Sequence, residues 1–185
     1  MSLYLLPLSE RHLDILDIGS MDVNGSYRSL FSRRSWRYVG ADIQSGANVD
    51  IVLGDHYRWR QIRSDSYDVV VSGQAFEHIP FFWLTMQEIA RVLKPGGLCC
   101  IVAPSEGPEH RYPQDCWRFL PDGMRALADF AGLDVLECSH QTEATGLDGD
   151  EWKDCKLVCR KPSRPITRRA CDALRRLLGM SPPKP

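Results

Sequence analysis

The 185-residue chain has almost no net charge: 23 Lys and Arg stand against 24 Asp and Glu. That balance argues against nucleic acid as a partner, because gripping a phosphate backbone takes a basic surface. No apolar run approaches the roughly 20 residues that span a bilayer. The first dozen residues show no basic start followed by an apolar stretch and a cleavage site, so no secretory signal is expected. The seven cysteines are odd in number and form no disulfide-like framework and no CxxC pair. Cys155-x-x-x-Cys159 lacks the third cysteine of a radical iron–sulfur motif. Cys99 and Cys100 sit inside an apolar run, so the thiols read as packing groups in a reducing cytoplasm, and no metal is expected. Internal repeats are absent too.

What is present is 43% hydrophobic residues, enough for one domain with a real core. Short apolar runs alternate with helical stretches, the pattern of a mostly parallel sheet. Strands are expected over 13–18, 37–41, 49–53, 67–72, 98–103, 133–139 and 153–160. Between the fourth and fifth, Phe82, Met86, Ile89, Ala90 and Leu93 recur at helical spacing. Lys94-Pro95-Gly96-Gly97 should then stop that helix and turn the chain. A second helix is expected over 121–131, with Pro121 in its first turn and Gly132 at its end. Only residues 141–151 separate the last two strands, too few for a helical crossover. The seventh strand should therefore run antiparallel, inserted beside the fifth or sixth.

The chain divides into residues 1–162 and a tail, 163–185. Residues 161–185 carry seven Lys and Arg against one acid. Ile166, Ala170, Leu174, Leu177 and Leu178 repeat at helical spacing among Arg164, Arg168, Arg169, Arg175 and Arg176. Such a basic amphipathic helix suits docking on its own domain, on a second subunit in a homo-oligomer, on an anionic membrane or on RNA.

Two strand ends carry the chemistry. The first runs Leu16-Asp17-Ile18-Gly19-Ser20-Met21-Asp22-Val23-Asn24-Gly25, the second Val39-Gly40-Ala41-Asp42. Each apolar strand ends in an acid, the spacing an α/β sheet needs to hold an adenosine-type cofactor across its first two strands. Gly-x-Gly-x-x-Gly is missing after the first strand, which points away from a nicotinamide dinucleotide.

A larger block follows: 67–79, ending Ser72-Gly73-Gln74-Ala75-Phe76-Glu77-His78-Ile79, then Glu88-Ile89-Ala90-Arg91-Val92-Leu93-Lys94-Pro95-Gly96-Gly97. In this order and spacing, residues 13–160 resemble the class I S-adenosylmethionine (SAM) dependent methyltransferases, in their small-molecule, type 11 branch. The resemblance implies a Rossmann-like, seven-stranded, mostly parallel sheet with a reversed last strand and helices on both faces. It implies SAM as cofactor. Asp17 and Gly19 match the acid and first glycine of the loop under the methionine part, with Ser20 and Met21 following. Asp42 matches the acid that accepts both ribose hydroxyls, with Ile43 beside it. Asp55 falls where the family places a polar residue near adenine, flanked by Gly54 and His56. Gly73 and Gln74 fall beside the sulfonium. The family loop reads Gly-x-Gly-x-Gly; here Met21 and Val23 stand at its second and third glycines.

Residues 104–119 follow the fifth strand and should roof the acceptor pocket. His110, Pro113, Asp115, Trp117 and Arg118 form His-x-x-Pro-x-Asp-x-Trp-Arg, which resembles a subset of these methyltransferases often found with glycan or secondary-metabolite synthesis. Asp115, Trp117 and Arg118 suit gripping a sugar-like acceptor; equally, Asp115 and Arg118 suit pairing to fold the loop while Trp117 packs. A hydroxyl acceptor must lose a proton, and the candidate bases are His110 and His78. The expected acceptor is a hydroxyl or amine of a small molecule or saccharide. Alternatives are a protein or RNA acceptor, or a non-catalytic binding module.

Overall fold

The computed structural model describes residues 2–23, 25–143 and 150–163. Asn24 and the expected basic helix and tail lie outside the described residues. Seven strands form one sheet: β1 (Leu13–Ile18), β2 (Trp36–Asp42), β3 (Ile51–Val52), β4 (Tyr67–Gly73), β5 (Leu93–Pro104), β6 (Asp134–His140) and β7 (Asp154–Arg160). Their order is β3-β2-β1-β4-β5-β7-β6. All neighbours are parallel except β7, which lies antiparallel between β5 and β6. This is the expected fold, and the reversed strand contacts both candidate neighbours.

Alternating side chains give the sheet two buried faces. Leu16 and Ile18 of β1 join a core with Met86, Ile89 and Val92 of α2 (Phe82–Val92) and Met124, Leu127 and Ala128 of α3 (Pro121–Ala131). Leu13 and Ile15 point the other way, into a smaller core with Val69, Val71, Cys100, Val158, Phe31 and Leu5. Leu5 belongs to α1 (Ser2–Leu5), and Phe31 closes the 3-10 turn Tyr27–Phe31. The helical cover is therefore uneven. Between β1 and β2 the described chain holds only that turn. The connection is rich in Ser and Gly, which favour turns and lower helix propensity.

A second difference concerns Lys94-Pro95-Gly96-Gly97. It is not a free turn: α2 passes directly into β5 at Leu93. Register then shifts, with Leu93 opposite Tyr67 but Leu98 opposite Val69, so the segment is a bulge within the strand. Lys94 Nζ reaches Asp68 Oδ2 at 2.7 Å and Asp14 Oδ2 at 3.1 Å, tying the starts of β4 and β1 to the bulge. Gly96 N–H donates to the Lys161 carbonyl, extending the pairing with the end of β7. The described cysteines are all free thiols, and four of the six are buried.

Candidate functional site

Parallel register sets the ends of β1, β2 and β4 side by side. Asp17 pairs with Gly40 and with Val71, so Asp17, Asp42 and Gly73 come out on one edge of the sheet. That carboxyl edge is where open α/β sheets bind ligands. A cavity of about 870 Å³ opens there, within the range of sites that take cofactor-sized molecules.

One wall of the cavity is made of strand ends. Asp17, Gly19, Ser20, Met21, Asp42, Ile43, Gly73 and Gln74 all line it. Asp17 is 3% exposed and accepts a hydrogen bond from the Tyr38 hydroxyl. Burial pushes its pKa up to about 7, against the opposing pull of Tyr38 and Arg28. Gly19 has φ +73°, and a Cβ there would lie 2.4 Å from that of Ala75. Only glycine allows the chain to turn so close under β4.

The loop lacks the usual later glycines, and side chains from the 3-10 turn, β2 and the connection after β2 hold it instead. Asn48 Nδ2 donates to the Ser20 carbonyl at 2.8 Å and to the Tyr38 hydroxyl at 3.1 Å. Arg28 lies over the Tyr38 ring and pairs with Asp50 Oδ2 at 2.6 Å. Asp42 is oriented by backbone amides: Met21 N–H donates to Oδ2 at 3.2 Å and Gln44 N–H to Oδ1 at 3.0 Å. Each carboxylate oxygen keeps a further lone pair for a ligand hydroxyl.

Two lining residues carried no motif. Tyr27 packs against the end of β4, its hydroxyl oxygen 2.0 Å from where a Cβ on Gly73 would stand. Gly73 is thus a glycine because Tyr27 occupies its side-chain space. Burial raises the Tyr27 phenol to about 12, so it stays protonated and can donate. His56 lines the cavity beside Leu53 and Ile43, and burial lowers its pKa, favouring the neutral ring. Asp55 does not reach the cavity: it is exposed and caps the chain, its Oδ1 accepting from Tyr57 N–H at 2.7 Å.

The other wall is a loop over a 3-10 turn, Phe76–His78, that follows β4. His78, Ile79 and residues 110–114 line it. The turn and the loop are fastened together. Cys116 and Trp117 N–H groups donate to the Glu77 carbonyl at 2.7 and 3.2 Å, and Gln114 Nε2 donates to the His78 carbonyl at 3.2 Å. His78 and His110 meet edge to face, ring centroids 4.8 Å apart, and His110 packs on Trp152 at 4.5 Å.

Asp115, Trp117 and Arg118 stand behind this wall and do not line the cavity. Both Asp115 oxygens accept from Arg118, at 2.6 and 2.8 Å, and Oδ2 also accepts from His110 N–H at 2.8 Å. The Arg118 guanidinium holds the Asp115 carboxyl far below the usual carboxylate range. Trp117 Nε1 donates to the Pro80 carbonyl at 3.1 Å, and its ring packs on Phe82 and Trp83. These contacts match the loop-folding option for the three residues.

Glu77 was part of a motif but had no assigned role. It is fully buried, and burial raises its pKa to about 7. Among the described residues neither carboxylate oxygen has a hydrogen-bond partner. His78 Nε2 lies 3.7 Å from Oε1, while His78 Nδ1 lies 2.6 Å from the Gln114 carbonyl. Burial lowers the His78 pKa against the pull of that carbonyl.

Residues 16–101 match a family model described as a methyltransferase domain. No curated protein matches the chain. Among solved structures, the fold resembles a SAM-dependent methyltransferase of Methanosarcina mazei at 14% identity, covering 86% of this chain and 98% of that one, with a TM-score of 0.68. It also resembles the Burkholderia thailandensis 1,6-didemethyltoxoflavin-N1-methyltransferase, solved with its substrate and S-adenosylhomocysteine: 15% identity, 87% and 76% coverage, TM-score 0.67. A third is the structure of the Haloferax volcanii Trm112 methyltransferase activator in complex with a methyltransferase: 22% identity, 83% and 84% coverage, TM-score 0.61. The matched strands and turns are those that build the cavity's strand-end wall and the His78 turn. The match spans just under half of the chain, and together with the fold it supports a class I SAM-dependent methyltransferase of the type 11 kind, an enzyme with SAM as cofactor.

Proposed function

We propose that the enzyme methylates a hydroxyl or amine of a small molecule or saccharide. The observation that carries this reading is the pairing of unlike walls around one cavity. Strand-end carboxylates and a glycine turn form one, and two imidazoles form the other. SAM fits the first wall: the buried Asp17 and the ribose-ready lone pairs of Asp42 face a space whose floor, at Gly19, tolerates no Cβ. Asp42 would hold the ribose, Asp17 the ammonium end, and Ile43, Leu53 and His56 the adenine. Ser20 and Met21 complete the turn, and Gly73 and Gln74 border the reacting centre. SAM supplies a methyl group already activated on a sulfonium.

The protein's part is then to align the acceptor and exclude water. His78 and His110 both border the place an acceptor atom would occupy, and His110, whose ring is not committed to a backbone carbonyl, is the one that would accept a proton or hold a hydroxyl. Tyr27 and Gln74 limit the space at the end of β4. Gln74 is itself fixed, its Nε2 donating to Asp154 Oδ1 at 2.7 Å. Asp115, Trp117 and Arg118 serve the acceptor indirectly, by setting the loop that carries His110. The test is methyl transfer from labelled SAM to a panel of saccharides, phenols and amines, together with SAM calorimetry. Transfer to a member of the panel, with SAM bound one to one, supports the reading; SAM binding with transfer only to protein or RNA overturns it.

A macromolecular acceptor is the second reading, favoured by the basic composition of residues 161–185. Salt-dependent RNA binding, lost on deleting residues 163–185, would support it.

A further inference from the structure

Glu77 is the least explained side chain among the described residues. It is 0% exposed, yet both carboxylate oxygens lack a hydrogen-bond partner among the described residues. Buried carboxylates in folded proteins are paired, hydrogen-bonded or bound to a cation. The group that faces it is no donor. His78 Nδ1 sits 2.6 Å from the Gln114 carbonyl, which can only accept, so the ring proton is on Nδ1. Nε2 therefore turns a lone pair toward Glu77 Oε1, 3.7 Å away. Two acceptors confront each other with nothing between them.

His110 completes the arrangement. Ligand atoms of Glu77, His78 and His110 all lie within 4.8 Å of one another. His110 Nδ1 is buried and lies 3.2 Å from Asp115 Oδ2 without the alignment of a hydrogen bond. We propose that Glu77, His78 and His110 bind one divalent cation of the zinc type at the inner end of the cavity.

The donor set suits that ion. One carboxylate and two imidazoles favour zinc and its neighbours over magnesium, which prefers an all-oxygen shell. Three protein ligands with an open fourth position make a catalytic rather than a structural site. Ligand bonds of about 2.1 Å place tetrahedral donors roughly 3.4 Å apart, so donors up to 4.8 Å apart must close by up to about 1.4 Å. His110 can supply that movement, since its side chain is 35% exposed on a loop. Outer contacts are in place as well: the Gln114 carbonyl on His78, and the Asp115 carboxylate, held by Arg118, beside His110. Because His78 and His110 line the cavity, the open position faces the acceptor. A cation there lowers the pKa of a bound hydroxyl, whose proton leaves to water. That use rests on the proposed methyl transfer; the site itself does not.

The experiment strips the full chain with a chelator, then titrates it with Zn2+ by calorimetry and with Co2+ by visible absorption. The expected result is one equivalent bound, with a ligand-field band for Co2+ and no competition from Mg2+. Glu77→Gln and His110→Ala should each weaken Co2+ binding at least about tenfold, and Asp115→Asn by about 10- to 100-fold. Because Glu77 is buried, its substitution tests folding as well as binding, and His110→Ala on the exposed loop decides. Absence of both heat and band in the wild type overturns the site. Undiminished affinity in His110→Ala also overturns it, assigning the ion to an exposed thiol such as Cys116. SAM titration of the same stripped protein reports on the cofactor reading separately. Asp42→Ala should lose SAM and keep the metal.

Discussion

The two walls of the cavity are built by different means. The strand-end wall is held by sheet register, with Asp17 opposite Gly40 and Ile18 opposite Ala41. Its polar groups need only short ties, such as the Met21 and Gln44 amides on Asp42. The loop wall has no register to rely on. His78 and His110 come from separate segments and meet because Arg118, Asp115 and the Glu77 carbonyl clamp the loop onto the turn. A cofactor shared by a whole family suits the rigid wall. An acceptor particular to one enzyme suits the wall whose shape depends on loop side chains.

If the loop wall depends on side chains, removing one clamp should damage it most. Arg118→Ala leaves Asp115, whose side chain is 3% exposed, without its bidentate partner. Losing one partner of this half-buried, charge-assisted pair costs about 2–3 kcal/mol, which urea unfolding would read. A change below about 1 kcal/mol would show that the pair does not hold the loop. On the other wall, Asp42→Ala removes two charge-assisted ribose bonds, about 3 kcal/mol together, or a hundredfold in SAM affinity by calorimetry. Loss of less than tenfold would take Asp42 out of the cofactor's grip.

His110→Ala separates the walls more finely. Turnover should fall about a hundredfold while SAM affinity stays unchanged. Full turnover would remove His110 from the chemistry; weakened SAM binding would show that the walls are not independent. Gly19→Ala probes the register-held wall alone. Its Cβ meets Ala75 and its φ is positive, so about 2 kcal/mol of stability should be lost in thermal unfolding. An unchanged melting temperature would mean the turn relaxes freely.

The smallest expected effect is on pH. Asp17 has its pKa raised to about 7 in the folded chain, above the unfolded value near 3.9. The folded state thus holds the extra proton, and this group's contribution to stability falls as pH rises from about 4 to about 7. A cationic ammonium bound beside it favours the charged carboxylate. SAM affinity should therefore rise with pH through about 7, by at most tenfold per unit, and Asp17→Asn should flatten the profile. A flat wild-type profile would place the ammonium elsewhere.

Much of the rigid wall is legible in the sequence. β1 and α3 begin and end where periodicity and flanking residues place them, because both are amphipathic elements with local stop signals. Asp42 could be singled out because strand spacing alone places it at the sheet edge. Asp55 could not be placed the same way. β3 is only two residues long, so the chain leaves the sheet early and Asp55 turns to cap Tyr57. Lys94-Pro95-Gly96-Gly97 looked like a turn because its residues fit one; pairing with β4 and β7 makes it a bulge. Tyr27 left no signal, since its role comes from filling the space above Gly73, on a strand far along the chain.

By itself, the sequence determined the seven-stranded alternation, the reversed last strand, and the acids at the ends of β1 and β2. These follow from local periodicity and connection length, which every folded arrangement of this chain must obey. Tertiary structure alone decided that Asp115 and Arg118 pair behind the wall. It also decided that His110 meets His78, and that Glu77 is buried facing a lone pair. Those outcomes depend on how a loop packs across a turn distant in sequence, and on which polar groups lose water there. No residue spacing encodes that.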